Sequence, residues 1–195
     1  TTAIYNTATG YQALKANTTG QYNVAVGGDS LLNNTTASDN TALGTGALHD
    51  NTTGANNVSV GSGSLRYNTT ASSNTAVGYR ALHSNTTGVE NVAVGRAALY
   101  NVTTGYENVA IGRSTGYELT TGNRNTFLGD DAGQLITTGS NNTVIGRYNG
   151  NHGGLDIRTS SGYIVLSDGD GNPRGYWDGS AWQGFGGGGT AFSAF

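Results

Sequence analysis

The stretch Asn74-Thr-Ala-Val-Gly-Tyr-Arg-Ala-Leu-His-Ser-Asn-Thr-Thr-Gly88 decides the architecture, because close variants of it recur every 17 residues on either side. Its first asparagine belongs to the series Asn6, Asn23, Asn40, Asn57, Asn74, Asn91, Asn108, Asn125 and Asn142. Each is followed four residues later by glycine: Gly10, Gly27, Gly44, Gly61, Gly78, Gly95, Gly112, Gly129 and Gly146. A fixed period without insertions marks a solenoid, in which a unit covers its apolar side only by stacking on its neighbours. The reading is therefore all-β: a parallel β-solenoid of nine 17-residue coils over residues 1–153. Repeated coils mostly build length and surface, so the chain is read as structural rather than enzymatic.

With the asparagine as position 0, the unit reads Asn-(Thr/Val)-Ala-(Val/Leu/Ile)-Gly-x-x-(Ala/Ser)-Leu-x-x-Asn-Thr-Thr-(Gly/Ala)-x-x. Seventeen residues leave room for two short strands and two turns, and the recurrent Asn-Thr-Thr-Gly keeps a helix from growing. Position 1 is always β-branched, as at Thr75 and Val92. Position 3 is apolar from Val26 to Ile145. These two share one face of a strand, which is expected to fill the coil interior. Position 2 is small (Ala8, Ala25, Ala42, Ser59, Ala76, Ala93, Ala110) and is expected to point outward, as a subunit interface; the plainer alternative is that alanine fits a crowded wall within one chain. Position 8 is leucine from Leu14 to Leu99 and then Gly116, Gly133 and Gly150, so the last coils must be built differently. Glycine at positions 4 and 14 is expected to supply positive φ or close backbone approach, and the asparagines to bond one above another. At about 4.8 Å per coil, nine coils make a rod roughly 43 Å long.

Composition narrows the field further. Charged residues are 11% and the net charge is −3, which gives no long-range attraction to nucleic acid or anionic membranes. No apolar run is long enough to insert in a bilayer. Cysteine is absent, so disulfides and thiolate chemistry are excluded. Glycine, at 33 residues, lacks the collagen spacing, and there is a single proline. The chain begins Thr-Thr rather than Met, as a processed product or a fragment would.

Asn23-Val-Ala-Val-Gly27, Asn91-Val-Ala-Val-Gly95 and Asn108-Val-Ala-Ile-Gly112 resemble the core of the head repeats in trimeric autotransporter adhesins. The longer phrase from Asn74 to Gly88 resembles repeats of phage tail-fibre and related virion appendage proteins. Ile157-Arg-Thr-Ser-Ser-Gly-Tyr-Ile-Val-Leu-Ser-Asp-Gly-Asp-Gly-Asn-Pro-Arg174 resembles the segment after such repeats. The resemblance implies a homotrimeric fibre on a virion, with other virion proteins and a host cell-surface polysaccharide or protein as partners. It competes with a capsid decoration protein, a bacterial surface adhesin head and an ice-binding solenoid. Ice binding favours Thr-x-Thr, whereas the adjacent threonines here point to opposite sides.

Beyond residue 153 the period is expected to vanish. Residues 154–183 read as a β-hairpin cap and 184–195 as a glycine-rich aromatic tail. The aromatics Tyr163, Tyr176, Trp177, Trp182, Phe185, Phe192 and Phe195 are candidate attachment residues, since such side chains bury large area at low entropic cost; the alternative is that they form only the small core of a trimeric cap. Asp168, Asp170 and Asn172 have the alternating oxygens of a calcium loop, but Pro173 stands where glycine is expected, which favours a plain turn. His49 and His83 share position 9 two coils apart, roughly 10 Å, too far for one metal ion. Position 9 reads as an exposed, variable column. Tyr11, Tyr79, Arg96, Arg113 and Arg147 could contact polysaccharide or serve as ordinary turn surface. No nucleophile–base arrangement, phosphate loop or cofactor motif is recoverable.

Overall fold

The structure is a computed structural model that describes residues 3–184. Nine three-residue strands follow one another: β1 (Thr7–Thr9), β2 (Val24–Val26), β3 (Thr41–Leu43), β4 (Val58–Val60), β5 (Thr75–Val77), β6 (Val92–Val94), β7 (Val109–Ile111), β8 (Thr126–Leu128) and β9 (Thr143–Ile145). Then come β10 (Asn151–His152), β11 (Leu155–Asp156), β12 (Ile164–Ser167), β13 (Pro173–Trp177) and β14 (Trp182–Gln183). No helix occurs among the described residues. Strands β1 to β9 stack in chain order as a parallel sheet, each residue opposite the one 17 further on, as in Thr75↔Val92, Ala76↔Ala93 and Val77↔Val94. The parallel β-solenoid expected from the period is present.

Each coil contains one strand, not two. The remaining residues are turns whose amides reach across to neighbouring coils. From the coil of Asn57, Val58 N–H donates to Asn74 O, Leu65 to Ala81 O, Tyr67 to His83 O and Thr69 to Thr86 O, at 2.8–3.2 Å. In return Gly78, Arg80 and Glu90 donate to Val60 O, Ser62 O and Ser72 O. A second strand is blocked by backbone handedness. Positions 6, 8 and 16 of each regular coil lie in the left-handed region, as at Arg80 (φ 54°), Leu82 (φ 49°) and Glu90 (φ 58°). That conformation costs a side-chain-bearing residue about 1–2 kcal/mol. It persists because it aims the amides at neighbouring coils, positions 6 and 16 at the preceding one and position 8 at the following one, and at position 8 turns leucine into the core.

Glycine at position 4 is required twice over. Gly78 has φ 136°, and a Cβ there would meet the carbonyl oxygen of Gly95 at 2.5 Å. At position 14 only the close approach applies: a Cβ on Gly88 would lie 2.1 Å from Gly105 O.

The strand faces are inverted relative to the sequence reading. Ala25, Ala42, Ser59, Ala76, Ala93 and Ala110 at position 2 are fully buried. Val26, Leu43, Ile111, Leu128 and Ile145 at position 3 are 37–46% exposed. The coil is too narrow for two branched side chains to meet across it. A strand of alanines faces the buried column Leu31, Leu48, Leu65, Leu82 and Leu99 instead, and together they form the core. The alanine column is therefore interior wall, not an outer interface.

Two asparagine ladders line the same interior. The position-0 ladder runs unbroken from Asn6 to Asn142: the backbone N–H of Asn91, for example, donates to Asn74 Oδ1 at 3.0 Å. The Asn91 amide also donates to Gly105 O, closing its own coil. A second ladder at position 11 links Asn17, Asn34, Asn51, Asn68 and Asn85. Buried backbone carbonyls are thereby satisfied without water.

Further on, the core changes its filling. Val102, Leu119 and Ile136 replace asparagine at position 11, and Phe127 replaces alanine at position 2. Gly116 and Gly133 replace leucine because the Phe127 ring occupies that volume: a Cβ on Gly133 would sit 3.0 Å from it. The built-differently end is thus the same coil with its bulk moved across the core.

The period does not vanish after residue 153. The small antiparallel pair β10–β11 adds four residues, and the stack then resumes 21 residues on: Ile164↔Thr143, Val165↔Val144 and Leu166↔Ile145. Tyr163 N–H donates to Asn142 Oδ1 at 2.9 Å, in the manner of a tenth asparagine. Only then does β12 turn back antiparallel onto β13, and β13 onto β14.

Candidate recognition surfaces

The outer face of the sheet is the largest regular surface. Position 1 contributes Val58 (38% exposed) and position 3 contributes Leu43, Ile111, Leu128 and Ile145; Ile164 and Leu166 continue both columns onto β12. The result is an unbroken aliphatic row at position 3 from Val26 to Leu166, beside a position-1 row in which Val24, Val58, Val92, Val109 and Ile164 are interspersed with threonines such as Thr41 and Thr75. Isolated exposed apolar residues need no explanation, but a contiguous stripe marks a contact surface.

The C-terminal aromatics divide. Tyr163 and Tyr176 are half-buried, pack on the core and stack at 6.4 Å. Trp177 and Trp182 meet edge to face at 6.2 Å, and Trp182 is exposed. Phe185, Phe192 and Phe195 lie outside the described residues. The described aromatics thus act at least partly as the small core of the cap.

The turn after β12 uses its Asp168 carboxylate internally. The Asp168 carboxylate accepts hydrogen bonds from the Asn172 side chain and amide and from the Asp170 amide, and it pairs with Arg174. Those bonds, Asn172 first, hold its pKa down at about 2. Asn172 is a donor here and also contacts His152 at 3.1 Å. No cluster of three metal-binding side chains occurs among the described residues.

Several surface columns are occupied between coils. Arg113 pairs with Asp130 at 2.8 Å and Asp131 at 3.0 Å, and Arg147 approaches the same two acids. The position-12 threonines spend their hydroxyls on the next coil, as Thr86 Oγ1 does on Thr103 O at 3.0 Å.

The most distinctive concavity is one the sequence reading missed. Thr45, Ser62, Gly63, Arg66, Tyr67, Tyr79, Arg80, His83 and Tyr100 line a cleft of about 380 Å³ across four coils. Position 9 was read as an exposed column, yet His83 is buried at 8% exposure. Tyr67 meets it edge-on, and Tyr100 and Tyr117 continue the stack below at 4.9–5.0 Å. Burial, then Arg80 and Arg66, lower the His83 pKa, so the ring is neutral at pH 7. Arg66 lies 5.9 Å from the Tyr67 ring centre and Arg80 lies 5.1 Å from that of Tyr79. The signal in the sequence was the pair Gly46 and Gly63 at position 6, where other coils carry side chains.

Comparison of the chain with protein-family models, with curated proteins and with solved structures finds no match.

Proposed function

We propose that the chain forms the shaft of a homotrimeric virion fibre or spike, which projects from a phage particle and contributes to host attachment without catalysing a reaction. The observation that carries this reading is the outer sheet face, where an aliphatic row at position 3 runs beside a mixed valine and threonine row at position 1. Eight steps of about 4.8 Å separate the nine strands from β2 to β9 and β12, so the aliphatic row is roughly 38 Å long. The two columns lie about 7 Å apart along each strand. In a three-fold bundle, each column meets a different neighbour, and the closed symmetry leaves no apolar face open. The interface proposed from sequence therefore moves from position 2 to positions 1 and 3. The resemblance to tail-fibre repeats supports the virion setting, and the stacked, inter-bonded coils suit a rigid projection.

Light scattering on the purified chain tests the assembly, with a mass three times 19.9 kDa expected. Gold-labelled antibody on the parent particle, and competition of the purified rod with particles for host cells, test the role. A stable monomer, or a rod that neither decorates particles nor competes, would overturn the proposal.

A further inference from the structure

We propose that the cleft formed by Arg66, Tyr67, Tyr79, Arg80 and His83 is a binding site for a sugar bearing a carboxylate. This deepens the attachment role above by naming a site on the shaft and the chemistry it takes.

The first ground is unspent positive charge. Arg113, Arg124, Arg147, Arg158 and Arg174 each lie within 4.0 Å of a carboxylate. Arg66 and Arg80 have no such partner among the described residues, and no aspartate or glutamate lines the cleft. Arg96 also lacks one but stands outside the cleft. Two adjacent guanidiniums without a counter-charge are unexpected in a chain of net charge −3. A guanidinium offers a planar donor fork that matches a carboxylate.

The second ground is that the space is made by composition rather than by backbone need. Gly46 and Gly63 have φ of 64° and 66°. In the same column Gln12, Asp29, Arg80, Ala97 and Asp131 adopt φ of 54–57° with side chains. Glycine is therefore not forced there by conformation. Its absent side chain gives room: a Cβ on Gly46 would stand 2.5 Å from the Arg66 guanidinium, so Arg66 can fold across the wall only because residue 46 is glycine. Gly63 is less constrained: a Cβ there would meet Arg80 Cγ at 3.5 Å and His83 Cδ2 at 3.7 Å, which is ordinary contact, so it leaves open space beneath them rather than preventing a clash.

The third ground is the combination of faces. Tyr67 and Tyr79 are about half exposed beside the guanidiniums, and Thr45 and Ser62, in the same column as Tyr79, add hydroxyl-bearing residues to the lining. Aromatic faces suit the C–H surface of a pyranose, hydroxyls suit its oxygens, and the arginines suit an acid group. A polyanion would need a longer basic stripe, whereas Arg113 further along is neutralised by Asp130 and Asp131. The volume falls in the range of small-ligand sites, about 300–1,000 Å³. One such site is expected to bind weakly, and three copies on a trimer would add avidity.

The test is an NMR titration of the full chain with methyl β-D-glucuronide and, separately, with the neutral methyl β-D-glucoside. The expected result is a saturable shift of tyrosine ring signals with the glucuronide, and at least about tenfold weaker binding of the glucoside. Arg66→Gln with Arg80→Gln should weaken glucuronide binding by about tenfold or more, while Lys15→Gln, on a distant coil, should leave it unchanged. Equal binding of the two glycosides by the unaltered chain, or undiminished glucuronide binding by the double variant, would overturn the site. Cell attachment separates the two proposals. A rod that attaches to host cells equally well with and without both arginines retains the attachment role and loses this site. A rod that binds glucuronide but attaches to no cell retains the site and loses the role.

Discussion

Asn85 Oδ1 is buried without a hydrogen-bond partner because the residue stacked on it in the next coil is Val102 and not a sixth asparagine. The position-11 ladder ends in an acceptor facing a hydrocarbon. A buried unsatisfied acceptor costs about 1–3 kcal/mol. Simply extending the ladder with Val102→Asn would pass the fault on to Leu119. Val102→Thr supplies a hydroxyl donor at nearly constant volume. It should stabilise the chain by about 0.5–1.5 kcal/mol, read as a higher midpoint in denaturant. A lower midpoint would mean that the orphaned oxygen is not what limits this coil.

The two strand faces make opposite predictions for the same chemistry. Ala76→Glu places a charge in a fully buried wall and should destabilise the fold by several kcal/mol or prevent folding. Val77→Glu with Val94→Glu places charges on the outer face. Those should leave the β signal in circular dichroism but lower the scattering mass to that of one chain. If Val77→Glu and Val94→Glu leave the mass unchanged, the outer row is not the assembly face.

Gly78→Val and Gly95→Val should each cost more than about 3 kcal/mol, since both break a φ of 136° and drive a side chain into the next coil's carbonyl. Arg96→Ala, at an exposed turn, should stay within about 0.5 kcal/mol. Thermal melts of the three variants decide the matter, and similar midpoints would contradict the turn geometry.

Tyr148 is fully buried and donates its hydroxyl to Leu155 O at 2.8 Å. Burial, then the nearby Asp156 carboxylate, raise its pKa above the ordinary value. In the unfolded chain the phenol ionises near pH 10. The folded state holds the neutral form, so this contribution is complete below about pH 10 and is lost as pH rises towards the folded pKa. Stability should therefore fall above about pH 10, and Tyr148→Phe should flatten that fall while losing about 1 kcal/mol at neutral pH. An alkaline profile unchanged in Tyr148→Phe would assign the loss to the other tyrosines.

The stacking direction, the register and the need for glycine at position 4 were legible because they recur in every coil. The face assignment was not. Alternation of Val92, Ala93 and Val94 states which residues share a side but not which side is inside, and large-in, small-out fails when the coil is barely wider than an alanine plus a leucine. The left-handed leucines were hidden for a related reason: nothing in the residue type announces φ 49° at Leu82. The resumed stack at Ile164 was obscured by a shift of four residues and by Tyr163 in place of asparagine, although Ile157, Ser161 and Val165 kept the pattern. The arginine cleft lies in columns 5, 6, 9 and 10, which the period treats as variable and averages away. Individual departures such as Gly46, Gly63 and Arg66 carry the information there.

The four-residue excursion at β10–β11 leaves the neighbouring strands in register, with Val144 still opposite Val165. That corner of the coil is thus uncoupled from the axis. Sequence can be added or exchanged at the margin of the column while its mechanics stay fixed. The surface chemistry of such a rod is free to diversify faster than its architecture, and a foreign peptide grafted between His152 and Leu155 would be displayed at a fixed height along a rigid post.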